Sequence, residues 1–236
     1  MIGLCRPNGR GRPITRPLEH RLEILGQICA RYSRIADVGA GQGRLSRRLM
    51  RDGVTVYATE RTPRGVKELR RYLENTMVIV LEGDGLVPLS HIAPVNAIVL
   101  AGMGSVVIQH ILEQRQQLTY RPRFAIQVVQ GRIAVHRYLR NARARIEAAR
   151  LVQERNRIYA TWVVMFPDQT ELTTYWNGLG LLQEFRNDPL WPELCGREAG
   201  VRRTQLTQPL PPTERRRIAE ELQYWQSQLP WGVVDR

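Results

Sequence analysis

The sequence predicts an α/β fold with a mostly parallel seven-stranded sheet, a terminal antiparallel hairpin and a small, mainly helical C-terminal part. Three observations support this. Five short apolar runs each precede a helical or polar stretch, two strand-like runs then follow close together, and the first apolar run leads into a glycine-rich loop. Strands that alternate with helices along a chain form parallel sheets with right-handed crossovers. We therefore expect a basic arm over residues 1–17, an α/β domain over residues 18–167 and the helical part over residues 168–236.

The N-terminal arm carries four arginines among glycine and proline, the last of them Arg16, and is expected to be extended. In Leu18–Tyr32 the apolar residues recur at helical spacing, which predicts the first helix. The arm does not lead into the apolar stretch of a secretory signal, and no apolar run is long enough to span a bilayer. We therefore expect a cytoplasmic protein that does not enter a membrane.

The predicted strands have the length and the aliphatic, β-branched content of buried strands. The first five are Arg34–Val38, Val54–Thr59, Met77–Leu81, Val95–Leu100 and Phe124–Val129. A basic helix is then expected over Arg132–Ala144. The runs Ile146–Arg155 and Ile158–Phe166, joined by a turn at Asn156–Arg157, complete the sheet as an antiparallel hairpin.

The C-terminal part after Pro167 has weaker patterns. Leu172–Leu182 and Pro189–Val201 are short and interrupted by proline and glycine. Thr213–Gln228 is rich in charge and predicts a helix, for which Thr213 is the expected N-cap.

The net charge of +13, from 35 basic and 22 acidic residues, indicates an anionic partner, of which nucleic acid is the commonest. Lys67 is the only lysine, so the excess is arginine, whose planar guanidinium binds phosphate well. Genomic base composition is an alternative reason for arginine in place of lysine. It does not explain the surplus of cations.

The three cysteines, Cys5, Cys29 and Cys195, are far apart in the sequence and form no CxxC pair. None of the four histidines stands beside them at metal-ligand spacing. The pattern predicts reduced thiols, as in cytosolic proteins, and no metal site.

The first predicted strand ends in Asp37-Val38-Gly39-Ala40-Gly41-Gln42-Gly43 and leads into a helical pattern. Glycines at this spacing let the backbone approach a ligand closely and turn into a helix. The loop lacks the dinucleotide spacing G-x-G-x-x-G and the Gly-Lys-Ser/Thr ending of a triphosphate loop. Many strand-to-helix turns use glycine for structure alone, so the loop needs support from elsewhere.

That support comes from the ends of the next three strands. Glu60 ends the second, where a carboxylate can accept from ribose hydroxyls. Gly83-Asp84-Gly85 and Ala101-Gly102-Met103-Gly104 follow the third and fourth. Alternatively, Glu60 caps the next helix and Asp84 lies in a plain turn. Because all four loops share the carboxyl edge of the sheet, the joint pattern predicts a nucleoside-type cofactor.

These residues resemble the bacterial tRNA (adenine-22-N1)-methyltransferase family over roughly Leu18 to Phe166. Leu18-Glu19-His20-Arg21-Leu22 is similar to the family's L-S-x-R-L, and Gly83-Asp84-Gly85-Leu86 to its G-D-G-L. Ala101 to Leu112 is similar to A-G-M-G-G-x-L-I-x-x-I-L, the most specific match. The resemblance implies a Rossmann-like class I methyltransferase fold, S-adenosyl-L-methionine as cofactor and tRNA as partner, with methyl transfer to N1 of an adenine.

The chain also departs from the family. The cofactor loop D-I-G-S-D-H-A-Y-L-P keeps Asp37 and Gly39, but Gly41, Gln42 and Arg44 replace its Asp, His and Tyr. The family's L-Q-P-N appears as Ile126-Gln127-Val128-Val129, without the Pro and Asn expected to hold the target base. Cofactor binding is thus better supported than the choice of target.

The resemblance and the loop pattern together give a set of expected cofactor-binding residues. These are Asp37, Gly39, Ala40, Gly41, Gly43, Glu60, Arg61, Asp84, Gly85, Ala101, Gly102 and Met103. Gln127 is the candidate catalytic residue, which would orient a flipped base through its amide. Alternatively, Gln127 is a buried amide satisfied by the backbone.

Six arginines are the candidates for RNA binding, although runs of charge are often only a solvated face. They are Arg16, Arg21, Arg44, Arg132, Arg137 and Arg140. We expect a monomer or weak dimer. The alternatives are a methyltransferase for another RNA site, DNA or protein, and a non-catalytic RNA-binding module. Asp37, Gly39, Glu60 and Asp84 argue against the module, which needs no ribose-binding acid.

Overall fold

The computed structural model of the protein describes residues 18–167 and 182–229. Seven strands form one sheet in the order β3-β2-β1-β4-β5-β7-β6. The strands are β1 (Arg34–Val38), β2 (Thr55–Glu60), β3 (Ile79–Glu82), β4 (Ala97–Ala101), β5 (Arg123–Val128), β6 (Arg145–Glu154) and β7 (Arg157–Met165). Strands β1 to β5 are parallel, and the β6–β7 hairpin joins β5 through an antiparallel pairing of β7. The predicted sheet is confirmed.

The strand boundaries lie within two residues of those expected. The hairpin turn lies at Arg155–Asn156, one residue earlier than predicted, and Arg155 adopts a left-handed φ of 52°. Strands β6 and β7 remain paired as far as Glu154 and Arg157. Arg157, which the sequence analysis placed in the turn, therefore belongs to β7.

Seven α-helices accompany the strands in the described residues. They are α1 (His20–Ile28), α2 (Arg44–Leu49), α3 (Pro63–Tyr72), α4 (Ser105–Glu113), α5 (Arg132–Asn141), α6 (Trp191–Leu206) and α7 (Pro212–Ser227). Helix α3 has a well-formed start: Thr62 accepts from Gly65 N–H at 3.1 Å, and Pro63 occupies the first turn. None of the helices in these residues is long and apolar enough to cross a membrane.

The sheet is covered on both faces. Leu25 of α1 and Leu49 of α2 pack with β1 and β4 in one core, while Ile108 of α4 and Leu139 of α5 belong to a second core on the other side. Both cores exclude water from the central strands, as the apolar runs predicted, and leave the strand ends to form sites.

The C-terminal helices share the second core. Trp191 of α6 and Trp225 of α7 belong to the same cluster as Trp162 of β7. Helix α6 continues without a break through Gly196 and Gly200, contrary to the expected short segments, because tertiary packing buries one side of it.

The expected N-cap of the last helix is also wrong. Helix α7 begins at Pro212, is preceded by Pro211 and has no side-chain cap, so Thr213 lies inside its first turn. Of the segment Leu172–Leu182, only the last residue lies within the described residues.

Candidate functional site

The glycine-rich loop between β1 and α2 depends on left-handed backbone. Gly39, Gly41 and Gly43 have φ values of 68°, 55° and 72°, which residues with a Cβ adopt at a cost. A Cβ on Gly43 would lie 2.7 Å from Leu69 Cδ1, whereas one on Gly41 would meet no atom within 4 Å. Gly43 therefore permits close packing on α3, and Gly41 leaves open space above the loop.

Asp37 holds this loop from beneath. Its side chain is buried, and Ser46 donates a hydrogen bond from Oγ to Oδ2 at 2.6 Å. Burial raises the pKa of Asp37 from 3.8 to about 6, against the hydrogen bonds from Ser46, which lower it. The side chain thus ties β1 to α2, and this contact favours a positioning role over direct contact with a ligand.

Four loop tips meet at the carboxyl edge of the sheet. Ala40 N–H donates to Thr59 O at 2.9 Å, and Gly83 N–H donates to Glu60 O at 3.1 Å. Met103 Sδ lies 3.2 Å from the point where a Cβ on Gly39 would be. The ends of β1, β2, β3 and β4 are therefore direct neighbours, as the sequence predicted.

Glu60 supports the start of the next helix, which is one of the two roles considered from the sequence. Its Oε1 accepts from Thr62 N–H and Oγ1, both at 3.2 Å, and so supports the start of α3. Its Oε2 has no hydrogen-bond partner within the part of the chain that the structure describes. One carboxylate oxygen remains available to accept from a ligand hydroxyl. Arg61, beside it, is exposed.

The turn around Asp84 is fixed by Gln114, the residue that follows α4. Gln114 Oε1 accepts from Leu86 N–H at 2.7 Å. Gly85 has a φ of 54° and packs against the side-chain amide of Gln114. Asp84 Oδ2 lies 3.4 Å from Nε2 of His110, and Asp84 is 48% exposed. A half-exposed carboxylate therefore faces solvent on a well-anchored turn.

The loop after β4 provides the most open backbone. Gly102 has φ 77°, and a Cβ on Gly102 or on Gly104 would meet no atom within 4 Å. Ala101 ends β4 and is half-buried. This edge of the sheet therefore combines open backbone with two carboxylates, Glu60 and the half-exposed Asp84. Such a site fits a nucleoside, whose hydroxyl and amine groups donate hydrogen bonds to carboxylates.

Gln127 does not face this space. The side chain is 1% exposed, and its amide donates to Thr161 Oγ1 at 3.0 Å and to Arg21 O at 3.1 Å. Its oxygen is 3.5 Å from Arg21 Nη1. With both amide hydrogens donated inside the protein, Gln127 joins α1 to β5 and β7 and cannot orient a base in this conformation.

Gln130 has the exposure that Gln127 lacks. It lies two residues after the end of β5 and is exposed. Next to it, Gly131 has φ 70° and is the N-cap of α5. The side chain of Ser105 packs so closely on Gly131 that a Cβ there would lie 2.1 Å from Ser105 Oγ. The starts of α4 and α5 therefore meet beside Gln130. In the sequence, Gly131 marks the point where β5 has ended and α5 is about to begin.

Most candidate RNA-binding arginines pair with carboxylates. Arg21 and Arg44 both contact Glu19, at 3.2 and 2.6 Å, and are 17% and 22% exposed. Arg16 lies outside the described residues. These pairs hold the start of α1 against α2 near the carboxyl edge.

Arg132 and Arg137 of α5 join the C-terminal helices. Arg132 is 12% exposed and pairs with Glu198 at 2.9 Å, and Arg137 pairs with the buried Glu221 at 3.0 Å. The expectation that Arg132 tracks phosphate is therefore not supported, because its guanidinium is enclosed by this pair. Arg140 is exposed.

Three solved structures resemble the chain. The B. subtilis M1A22 tRNA methyltransferase TrmK is 20% identical, with 90% of this chain and 99% of that one covered and a TM-score of 0.72. M. capricolum TrmK in complex with S-adenosyl-homocysteine is 16% identical, with 90% and 97% covered and a TM-score of 0.73. Streptococcus pneumoniae Sp1610 in complex with S-adenosyl-L-methionine is 19% identical, with 89% and 98% covered and a TM-score of 0.75. At these identities the likeness shows a common fold.

No curated protein sequence matches the chain. The family described as the methyltransferase domain matches residues 18–162, which is more than half of the 236 residues. The match spans the sheet from α1 to β7 and includes all four loop tips. The chain therefore belongs to the methyltransferase domain family.

Proposed function

We propose that the protein is an S-adenosylmethionine-dependent methyltransferase that acts on adenine N1 in tRNA. The observation that carries the proposal is the meeting of four loop tips at the carboxyl edge, where Gly41 and Gly102 leave open space. Family membership gives the reaction class, and two similar structures hold S-adenosyl-homocysteine or S-adenosyl-L-methionine.

The chain's own residues would bind and orient the cofactor. Glu60 Oε2 accepts from the ribose hydroxyls, and Asp84 accepts from the exocyclic amine of adenine. Gly41 and Gly102 allow the backbone to approach without a side chain between. When bound, S-adenosylmethionine supplies a methyl group on a positively charged sulfur. Asp37 stays buried beneath the loop and fixes its shape.

The proposed substrate is supported by the net charge of the protein and by the chemistry of the adenine base. The net charge of +13 favours a polyanion, and the B. subtilis TrmK to which the chain is similar is a tRNA methyltransferase. Adenine N1 has an exposed lone pair, so positioning and exclusion of water matter more than a strong base. We assign the positioning of the base to Gln130, whose side chain is exposed two residues after the end of β5.

Mass spectrometry of nucleosides from tRNA incubated with protein and S-adenosylmethionine tests this function. The expected product is 1-methyladenosine, and Gln130→Ala is expected to lower its rate of formation about tenfold or more, while Gln117→Ala, another exposed glutamine, leaves it unchanged. Another methylated nucleoside would favour the alternative target suggested by the missing Pro and Asn. Absence of any methylated product would overturn the proposal.

A further inference from the structure

Helix α3 has one buried face and one face that is exposed and strongly basic. Leu69 is buried and belongs to a small core with Ala58 of β2. The residues exposed between positions 64 and 71 are all charged, and they are Arg64, Lys67, Glu68, Arg70 and Arg71. With Glu74, which lies just after the helix, they line an open groove of about 690 Å³. Four of the six lining residues are basic, so the groove has an excess of positive charge.

Three of these four cations have no carboxylate partner. Arg64 Nε lies 3.1 Å from Glu68 Oε1, but the two side chains are 91% and 65% exposed, so the pair is weak. Lys67, Arg70 and Arg71 form no ion pair with any residue in the ranges 18–167 and 182–229. Their charges are therefore available to an anion that approaches from solvent.

The basic face continues onto α2. Gly43, the N-cap of α2, packs so closely on α3 that a Cβ there would lie 2.7 Å from Leu69 Cδ1. The guanidinium of Arg47, on α2, lies 6.0 Å from the centre of the Tyr72 ring of α3. Arg47 is exposed and has no carboxylate partner in the described part of the chain. We call Arg47, Lys67, Arg70 and Arg71 together the α3 basic surface.

The α3 basic surface lies close to the proposed cofactor site. Helix α3 begins at Pro63, three residues after Glu60, at the carboxyl edge of the sheet. A helix rises about 1.5 Å per residue, so Lys67 and Arg71 lie about 6 and 12 Å along α3 from its first residue. At these distances the two side chains are placed to meet phosphates of nucleotides that neighbour the target base in a folded RNA.

The arginines predicted from the sequence to bind RNA are less available. Four of them pair with carboxylates, and they are Arg21, Arg44, Arg132 and Arg137. A guanidinium held in such a pair must give up or share its carboxylate before it contacts a phosphate, which reduces the gain on binding. The α3 basic surface has no such cost, because its cations are exposed and unpaired among the described residues.

We propose that the α3 basic surface binds the phosphate backbone of the RNA substrate. Cations at such a surface neutralise phosphates and release counterions, which supplies affinity and orientation without reading the base sequence. An anionic membrane fits less well, because a helix that lies on a membrane inserts apolar side chains, and α3 exposes none between positions 64 and 71. The identity of the partner rests on the proposed function, whereas the position of the surface rests on the ion pairs.

Binding of an unmodified tRNA transcript to the full chain tests the surface, measured by fluorescence anisotropy without cofactor at about 50 to 200 mM salt. The variant with Lys67→Gln and Arg71→Gln removes two cations that lie four residues apart on one side of α3. Each phosphate contact contributes about 0.7–0.9 to the slope of log K against log salt, so we expect the slope to become shallower by about 1.4–1.8. The Kd for tRNA should rise about tenfold or more.

The matched control is the variant with Arg31→Gln and Arg34→Gln. Both arginines are exposed and lack a carboxylate partner among the described residues, but they lie before and at the start of β1, at the opposite edge of the sheet. The control removes the same charge and is expected to keep the wild-type slope. The Tm and the affinity for S-adenosyl-homocysteine should match the wild type in both variants, because neither pair lies in a loop of the proposed cofactor site.

Two results of the salt series would overturn the proposal. They are an unchanged slope in the variant with Lys67→Gln and Arg71→Gln, and an equal change in the control. Binding to phosphatidylserine vesicles that this variant loses, with tRNA binding unchanged, would assign the surface to a membrane instead.

Failure of the proposed function gives a different result. The tRNA would then bind through the α3 basic surface, with the expected change in slope, but no 1-methyladenosine would form. Conversely, formation of 1-methyladenosine with an unchanged KM for tRNA in the variant with Lys67→Gln and Arg71→Gln would leave the proposed function intact and refute the surface.

Discussion

Substitution of two glycines that have the same backbone geometry can distinguish a loss of stability from a loss of cofactor affinity. Gly102 in the loop after β4 and Gly53 in the loop before β2 have φ values of 77° and 73°. A Cβ on either would meet no atom within 4 Å. Only Gly102 lies at the carboxyl edge, where we propose that the cofactor binds. Gly102→Ala and Gly53→Ala therefore form a matched pair.

The expected magnitude follows from the backbone. Left-handed φ costs an L-residue about 1–2 kcal/mol, and neither variant adds a steric clash, so both are expected to lose that stability. For a domain of this size the loss corresponds to a fall in Tm of about 2–8 °C. In Gly102→Ala the new methyl group also occupies the space left for the ligand.

Thermal unfolding and calorimetry with S-adenosyl-homocysteine together measure both effects. We expect similar Tm values for the two variants and a Kd raised about tenfold or more, or about 1.4 kcal/mol, for Gly102→Ala alone. Equal affinity in both variants would refute the reasoning, because the open space at Gly102 would then have no part in binding.

Three further variants test the interior contacts. Since burial raises the pKa of Asp37 from 3.8 to about 6, the folded protein retains a proton that the unfolded chain releases, so the contribution of Asp37 to stability should fall by on the order of 2–3 kcal/mol as pH rises from 4 to 6. Carboxyl groups with a lowered pKa, such as Glu184 and Glu221, change stability in the opposite direction, so the effect is measured in urea unfolding as the difference between the wild type and Asp37→Asn; a difference that does not vary with pH would exclude the cause. Glu221→Gln, which removes the buried carboxylate shared by Arg137, Arg202 and Arg217, should lose about 2 to 3 kcal/mol against under about 0.5 for the exposed Glu220→Gln; equal losses would contradict the buried network. Gln127→Leu should lose about 1–3 kcal/mol by leaving polar groups of the core unpaired, and full stability in chemical denaturation would show that these hydrogen bonds contribute nothing.

The sheet and the cofactor loops could be predicted because their signals are local. Alternation of apolar runs with helical periods fixes the strand and helix order, and left-handed turns select glycine at Gly39, Gly41 and Gly102. Adjacent parallel strands then bring their ends together whatever the details of packing. For this reason the tips of four loops, far apart in sequence, were assigned correctly to one edge.

The roles of the polar side chains could not be predicted because their partners are distant in sequence. Arg132 lies 66 positions from Glu198, and Gln127 lies 106 positions from Arg21. Nothing in a helical period or a strand alternation shows which cation meets which carboxylate. The same holds for α6, which remains continuous through Gly196 because Trp191 and neighbouring residues pack on the second core.

Hydrogen–deuterium exchange with and without S-adenosyl-homocysteine tests the central claim most directly, since it locates the ligand on the chain. We predict slower exchange in residues 39–43 and 101–105, with weaker protection in residues 59–61 and 83–86. Protection confined to other parts of the described chain, or no protection at all, would contradict the assignment of the carboxyl-edge loops as the cofactor site.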